Sequence, residues 1–287
     1  METVVTTKHE QSGALGQVKQ LDHFAIPAMD LDRAEKFYTD VVGLRLIVKG
    51  RVPGGMFLKI GLYHHLGLFL PTQSKAVLPQ RETVDSYPRV AFVLSPQEFD
   101  RAAAKVKLAC SVVSEIEEKG ISGGERGIAF IDSEGNIMEI FKGENTNPIG
   151  LGHIHFDTTA LDEAISFYAD VLNLEVVERD REKAILAIPG GQAVVLHQVD
   201  QLCDVTKTHY DERHFAFNVG DGDFHAIVDK LHRKGIKEAD ELGGGVSRNP
   251  GDLATYFKDP TNGIYLQLFN RNSKAFSEKY GFVVDGG

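Results

Sequence analysis

The sequence predicts an α+β fold of four βαβββ modules grouped into two similar halves, and three observations predict it. First, the chain repeats itself: Asp30-Leu31-Asp32-Arg33-Ala34-Glu35-Lys36-Phe37-Tyr38-Thr39-Asp40-Val41-Val42-Gly43-Leu44 aligns without a gap on residues 160–174, where Phe167-Tyr168 and Asp170-Val171 fall on Phe37-Tyr38 and Asp40-Val41. His23 falls on His153 at the same offset. Second, an order of strand, helix, then further strands recurs four times along the chain. Third, one such unit carries a half-buried sheet with open edges, which units close by pairing with one another. A repeat of this kind also makes each half a control for the other.

The elements follow from local pattern. Residues 21–27 form an apolar run ended by Pro27 and read as a strand. Residues 31–42 place Leu31, Ala34, Phe37, Tyr38 and Val41 on one helical face; Asp30 or Asp32 caps the start and Gly43 stops it. Residues 44–52 and 57–70 supply strands around Pro53-Gly54-Gly55. The second unit has strands at 89–94, 127–131 and 137–141 and a helix at 96–108. The third has strands at 152–156, 184–188 and 193–199 and a helix at 161–172. The fourth has strands at 214–219, 253–258 and 264–269 and a helix at 224–234. The expected division is a loose arm at 1–19, an N-terminal domain at 20–147, a C-terminal domain at 148–270 with Pro148-Ile149-Gly150 as hinge, and an extension at 271–287.

Composition limits the partners. The 287 residues suffice for two domains. With 42% hydrophobic and 25% charged residues the chain reads as globular. A formal charge of -10 argues against a nucleic-acid groove, which needs clustered Lys and Arg. No apolar run approaches a membrane span and no signal-peptide pattern opens the chain, so the expected location is the cytoplasm, with no membrane partner. Cys110 and Cys203 are far apart and read as thiols, not as a zinc knuckle.

Asp22-His23-Phe24-Ala25 in a strand, a helix ending Phe-Tyr-x-Asp-Val, and the late strand Asp132-x-x-Gly135-x-x-x-Glu139 together resemble the vicinal oxygen chelate superfamily, over roughly residues 20–270. That superfamily includes glyoxalase I, fosfomycin resistance proteins, bleomycin-binding proteins and type I extradiol dioxygenases; four units in one chain look like the two-domain extradiol enzymes. The resemblance implies that units pair into cup-shaped curled mixed sheets flanked by helices, with metal ligands on the first and last strands of each unit. Carried over position by position, it implies His153, His214 and Gln267 as metal ligands in the C-terminal half, with Leu196 or His197 at the fourth position. The matching N-terminal positions are His23, Arg89 and Glu139. Arginine offers no lone pair to a metal, so that half is expected to be non-catalytic, with His23–Glu139 or Arg89–Glu139 as a plain polar pair.

Each candidate has an ordinary reading beside the functional one. His153 and His214 are either metal ligands or packed, hydrogen-bonded histidines. Gln267 is a neutral oxygen ligand or a core amide. Strand alternation sets His155 on the face of His153, as a ligand, an acid–base group or a support for a ligand. His197 either faces the cup or leaves that place to Leu196. Tyr256, in Ala254-Thr255-Tyr256-Phe257, resembles the substrate-binding tyrosine of the extradiol enzymes, though tyrosine is common in strands. The histidine those enzymes carry just before it is missing from residues 245–251, and His155 or His197 is the replacement for proton transfer. His64 and His65 are assigned no role beyond an approach to the N-terminal cup. The implied cofactor is Fe(II), with Mn(II), Zn(II) and Ni(II) as alternatives. The implied substrate is a small molecule with two adjacent oxygens, such as a catechol, with O2 for ring cleavage. The alternatives are a glyoxalase- or epimerase-like isomerase or lyase, and a non-catalytic binding or resistance protein. A homo-oligomer is left open.

Overall fold

The computed structural model describes residues 16–50, 53–61, 64–71, 88–111, 113–116, 126–144, 150–202, 214–239, 247–249 and 252–270. The expected extension 271–287, most of the expected arm, the hinge residues Pro148 and Ile149, and Cys203 lie outside these residues. The first module comprises β1 (Val18–Pro27), α1 (Leu31–Lys36) continued by a π-helical segment (Phe37–Val42), β2 (Arg45–Lys49), β3 (Gly55–Ile60) and β4 (His64–Phe69). The second comprises β5 (Arg89–Leu94), α2 (Pro96–Ala109), β6 (Val113–Ile116), β7 (Gly127–Ile131) and β8 (Ile137–Lys142). The third comprises β9 (Gly150–Thr158), α3 (Leu161–Asp170), β10 (Glu175–Arg179), β11 (Lys183–Ile188) and β12 (Gln192–Gln198). The fourth comprises β13 (His214–Val219), α4 (Asp221–Arg233), β14 (Ser247–Asn249), β15 (Asp252–Lys258) and β16 (Tyr265–Phe269). None of the described helices is long and apolar enough to cross a membrane.

The βαβββ order is as expected, and the two halves are alike. In every module the first strand pairs in parallel with the last: β1 with β4, β5 with β8, β9 with β12, β13 with β16. The repeated helix ends are built alike as well. Gly43 and Asn173 both adopt left-handed backbone, φ 96° and 57°, which is why the repeat carries Gly and Asn where the helix stops.

The pairing of modules differs from the expectation. One eight-stranded sheet runs β14-β15-β16-β13-β1-β4-β3-β2, and the other runs β10-β11-β12-β9-β5-β8-β7-β6. The first module therefore joins the fourth through antiparallel β1–β13, and the second joins the third through antiparallel β5–β9. The halves 20–147 and 148–270 are repeats in sequence, but each sheet takes one module from each half. The expected arm also shortens, because β1 begins at Val18 and not at residue 20.

Consecutive modules are tied through helices instead. Tyr38, fully buried at the end of the first helix, donates a 2.5 Å hydrogen bond to Asp132 in the β7–β8 turn. Arg33 holds Glu134 of the same turn with two bonds, Nε to Oε1 at 2.7 Å and Nη2 to Oε2 at 2.8 Å. The third module repeats the device on the fourth: Tyr168 of α3 donates to Asp259 beyond β15, at 2.7 Å. The repeated Phe-Tyr pair is thus a clamp between neighbouring modules. Between the sheets lies a continuous apolar core. Phe24, Phe92, Phe156 and Phe215, one from each first strand, meet there at ring separations of 5.8 Å (Phe24–Phe92), 6.3 Å (Phe24–Phe215) and 5.0 Å (Phe156–Phe215). Because side chains alternate along a strand, their neighbours turn to the opposite, cup-forming faces.

Candidate metal centres

Alternation and register together populate the first cup. Across the β1–β13 sheet the row Tyr256, Gln267, Ala216, His23, His65 lies on directly paired positions, and His214 is two residues from Ala216 on the same face. His23 Nε2 and His214 Nε2 are 3.4 Å apart. His65 stacks on His23 with ring centroids 4.3 Å apart, and the Tyr256 ring meets His214 edge-on at 5.0 Å. Asp22 sits at a bulge in β1, where the register against β13 shifts between Leu21 and His23. Its Oδ1 lies 2.6 Å from His23 Nδ1, and the carboxylate is fully buried. That contact fixes the proton on Nδ1 and turns the Nε2 lone pair into the cup. Gln267 is 3% exposed and its Oε1 has no hydrogen-bond partner among the described residues. Burial pushes the Tyr256 hydroxyl up to about 12, so it is a neutral donor at ordinary pH.

The second cup, across β5–β9, carries a different set. Glu139 on β8 receives Arg89 Nη1 at 2.9 Å on Oε1. On its other oxygen, Oε2, it faces His153 Nε2 at 3.4 Å and His155 Nε2 at 3.3 Å. His155 Nδ1 in turn lies 2.8 Å from His197 Nε2. Burial pushes the Glu139 carboxyl up, but the nearby His155, His153 and Arg89 outweigh it and hold the group well below the usual carboxylate range. Burial lowers His155 to about 4 and His197 to about 3. Glu139 is therefore the charged member of the cluster and both imidazoles are neutral near pH 7, the state in which ring nitrogens bind metals.

The structure separates the residues of the carried-over ligand set. His214 and Gln267 share a cup, but their partner is His23; His153 stands in the other sheet with Glu139, because β9 pairs with β5 and not with β13. His23 and Glu139 are likewise separated, and the Arg89–Glu139 ion pair is the contact formed. His197 faces the cup, while Leu196 is fully buried in the core between the sheets. His155 and His197 stand in the other sheet from Tyr256. Of the two adjacent histidines, to which the sequence assigns no more than an approach to the N-terminal cup, His65 is the one in the cup. Period-two alternation from Leu66 and Leu68, both in the core, marks it as cup-facing. His64 points elsewhere, with its Nε2 3.2 Å from Gln192 Nε2.

The comparisons agree with this architecture. The family model described as "Glyoxalase/Bleomycin resistance protein/Dioxygenase superfamily" matches residues 20–140 and again 150–268. The chain belongs to that superfamily. Among its members, a lactoylglutathione lyase of Oryza sativa subsp. japonica is 25% identical over 248 residues, 82% of each chain. Two solved structures share the fold at low identity. A glyoxalase I mutant from Zea mays has a TM-score of 0.61 at 18% identity, covering 90% of this chain and 96% of its own. A Bacillus subtilis subsp. subtilis str. 168 protein named provisionally as a dioxygenase has a TM-score of 0.68 at 16% identity, covering 93% and 91%. For a superfamily chain, each cup offers a candidate metal-binding cluster: Asp22, His23 and His65 in one, Glu139, His153 and His155 in the other, each with donor atoms within 4.8 Å of one another.

Proposed function

We propose that the chain is a metal-dependent enzyme whose reaction centre is the β1–β13 cup, where His23, His214 and Gln267 hold one divalent transition-metal ion and a small substrate with two adjacent oxygens. The observation that carries this reading is the 3.4 Å approach of two imidazole nitrogens beside a buried amide oxygen that has no hydrogen-bond partner among the described residues. Donors bound to one ion at about 2.1 Å stand roughly 3.0–3.4 Å apart, so the two nitrogens fit a shared ion as they stand. An unsatisfied buried polar atom costs about 1–3 kcal/mol, which a cation at Gln267 Oε1 would relieve. Nitrogen donors favour Fe(II), Ni(II) or Zn(II) over Mg(II) or Ca(II).

The reaction class we favour is proton transfer next to a carbonyl, as in an isomerase or lyase acting on an α-hydroxycarbonyl. A bound ion there would lower the pKa of a substrate hydroxyl and offset charge developing on its oxygens. The residues of the chain do the rest. Asp22 holds His23 in one tautomer and orientation. Tyr256, a protonated phenol against His214, is placed to donate a hydrogen bond to a substrate oxygen and so to orient it. His65, flat against His23, is the further imidazole on this face and the candidate to take and return a carbon-bound proton. The neutral Gln267 leaves more net positive charge at the centre than a carboxylate would, which suits polarising a carbonyl. The 82% coverage of a lactoylglutathione lyase supports the same class. Ring cleavage with Fe(II) and O2 is the second reading, and the placement of Tyr256 beside His214 favours it.

The test is reconstitution of metal-stripped protein with Fe(II), Ni(II), Zn(II) or Mn(II), followed by two assays: solvent-deuterium incorporation into α-hydroxycarbonyls, and oxygen uptake with catechols. The proposal expects metal-dependent exchange that His23→Ala and His214→Ala abolish. Oxygen uptake without exchange would move the assignment to ring cleavage. Absence of metal binding at this cup would refute both.

A further inference from the structure

We infer that the β5–β9 cup is a second, separate metal centre, held by Glu139 Oε2, His153 Nε2 and His155 Nε2, so that one chain carries two ions in unlike donor sets. The inference does not rest on the reading of the first cup.

Three features carry it. The first is convergence. Both imidazole nitrogens point at the same carboxylate oxygen from 3.4 and 3.3 Å. Those separations exceed a good direct hydrogen bond, about 2.7–3.2 Å, and match the roughly 3.0–3.4 Å expected between donors on one ion. The second is the orphaned oxygen. Glu139 is 1% exposed and its Oε1 is taken by Arg89, so among the described residues its Oε2 faces the two ring nitrogens at 3.3–3.4 Å without a well-formed hydrogen bond. The third is support behind the cluster. His155 Nδ1 meets His197 Nε2 at 2.8 Å, so one proton between them sits on Nδ1 when Nε2 binds a cation.

The donor set is not the one obtained by carrying superfamily positions over. The place matching His214 is Arg89, and the place matching Gln267 is Glu139. The third donor, His155, comes from a position that is Ala25 in the first module and Ala216 in the fourth. Loss of a ligand at Arg89 is thus compensated from the paired strand, where His155 of β9 stands directly opposite it. Two imidazoles and one carboxylate suit a divalent transition metal, Fe(II), Co(II) or Zn(II), and leave coordination positions for small oxygen ligands. The Arg89 guanidinium beside them would favour an anionic one. His197 is a positioning residue.

The experiment loads metal-stripped full-length chain with Co(II), then removes weakly held ion by dialysis and reads metal content and the visible Co(II) spectrum. Three proteins are compared: the native chain, His214→Ala/Gln267→Ala, and Glu139→Gln/His155→Ala. The double variant in the first cup is expected to keep one equivalent with the spectrum of a nitrogen- and carboxylate-bound ion. The variant in the second cup is expected to lose that equivalent and that spectrum. His197→Ala should retain the site with affinity reduced about 10–100-fold, the usual cost of losing a support behind a ligand. A His214→Ala/Gln267→Ala chain that folds, by circular dichroism, but binds no Co(II) overturns the inference without any mutation in the second cup. That same result leaves the first-cup proposal standing if the native chain binds one equivalent. Native protein that binds only through the second cup supports the inference and refutes the first-cup proposal.

Discussion

Single residues set the electrostatics of the first cup. Gln267 stands where the second cup has Glu139, and only Glu139 brings a negative charge. Gln267→Glu is expected to tighten divalent metal binding on the order of tenfold or more, because a unit charge a few ångströms from an ion is worth several kcal/mol even in a partly polar site. Chelator competition measures it; unchanged affinity would remove Gln267 from the ligand set. Cys110 tests burial in another way. Burial, with Asp132 adding to it, pushes its thiol up to about 12. Only the thiolate reacts with alkylating reagents, so labelling of a Cys203→Ser chain should be slow at pH 8 and rise about tenfold per pH unit. Fast labelling at pH 8 would show that the thiol is not held in this environment. Part of this placement was readable from the sequence, since His214, Gln267 and Tyr256 do share one cup. His65 was not, because a His-His pair gives no sign of which member faces the cup until the alternation of Leu66 and Leu68 is fixed by the core.

At the scale of elements, the Phe-Tyr repeat is a clamp between neighbouring modules. Tyr38→Phe and Tyr168→Phe each leave a buried carboxyl short of a donor, Asp132 in one case and Asp259 in the other, and each is expected to cost about 1–3 kcal/mol in urea unfolding. A loss under half a kcal/mol, on the scale of ordinary surface substitutions, would contradict the clamp. The helices and first strands were legible because their buried faces keep a clear period. β6 and β10 were not. Val113–Ile116 and Glu175–Arg179 are edge strands with no fully buried residue, so hydrogen bonding to β7 and β11 defines them where hydrophobic alternation does not.

For the whole molecule, the decisive fact is which modules share a sheet. Adjacent pairing and crossed pairing bury the same alternating faces, so local pattern could not choose between them. The choice lies in long-range contacts such as β1 with β13, nearly 200 residues apart in the chain (Phe24 pairs with Phe215). The halves are therefore expected not to fold independently. A chain ending at residue 147 would expose both β1 and β5, and it is expected to be unfolded or to self-associate, while co-expression with residues 148–287 should restore a one-to-one complex. A monomeric half that unfolds cooperatively in sedimentation and denaturation experiments would contradict the crossed arrangement.

The crossed arrangement makes His23, and not His153, the partner of His214. Anomalous X-ray scattering from Zn(II)-loaded crystals reads this directly. The account predicts a zinc peak about 2.1 Å from both His23 Nε2 and His214 Nε2, next to Gln267. A peak that links His214 to His153, or well-ordered crystals with no zinc in the β1–β13 cup, would contradict it.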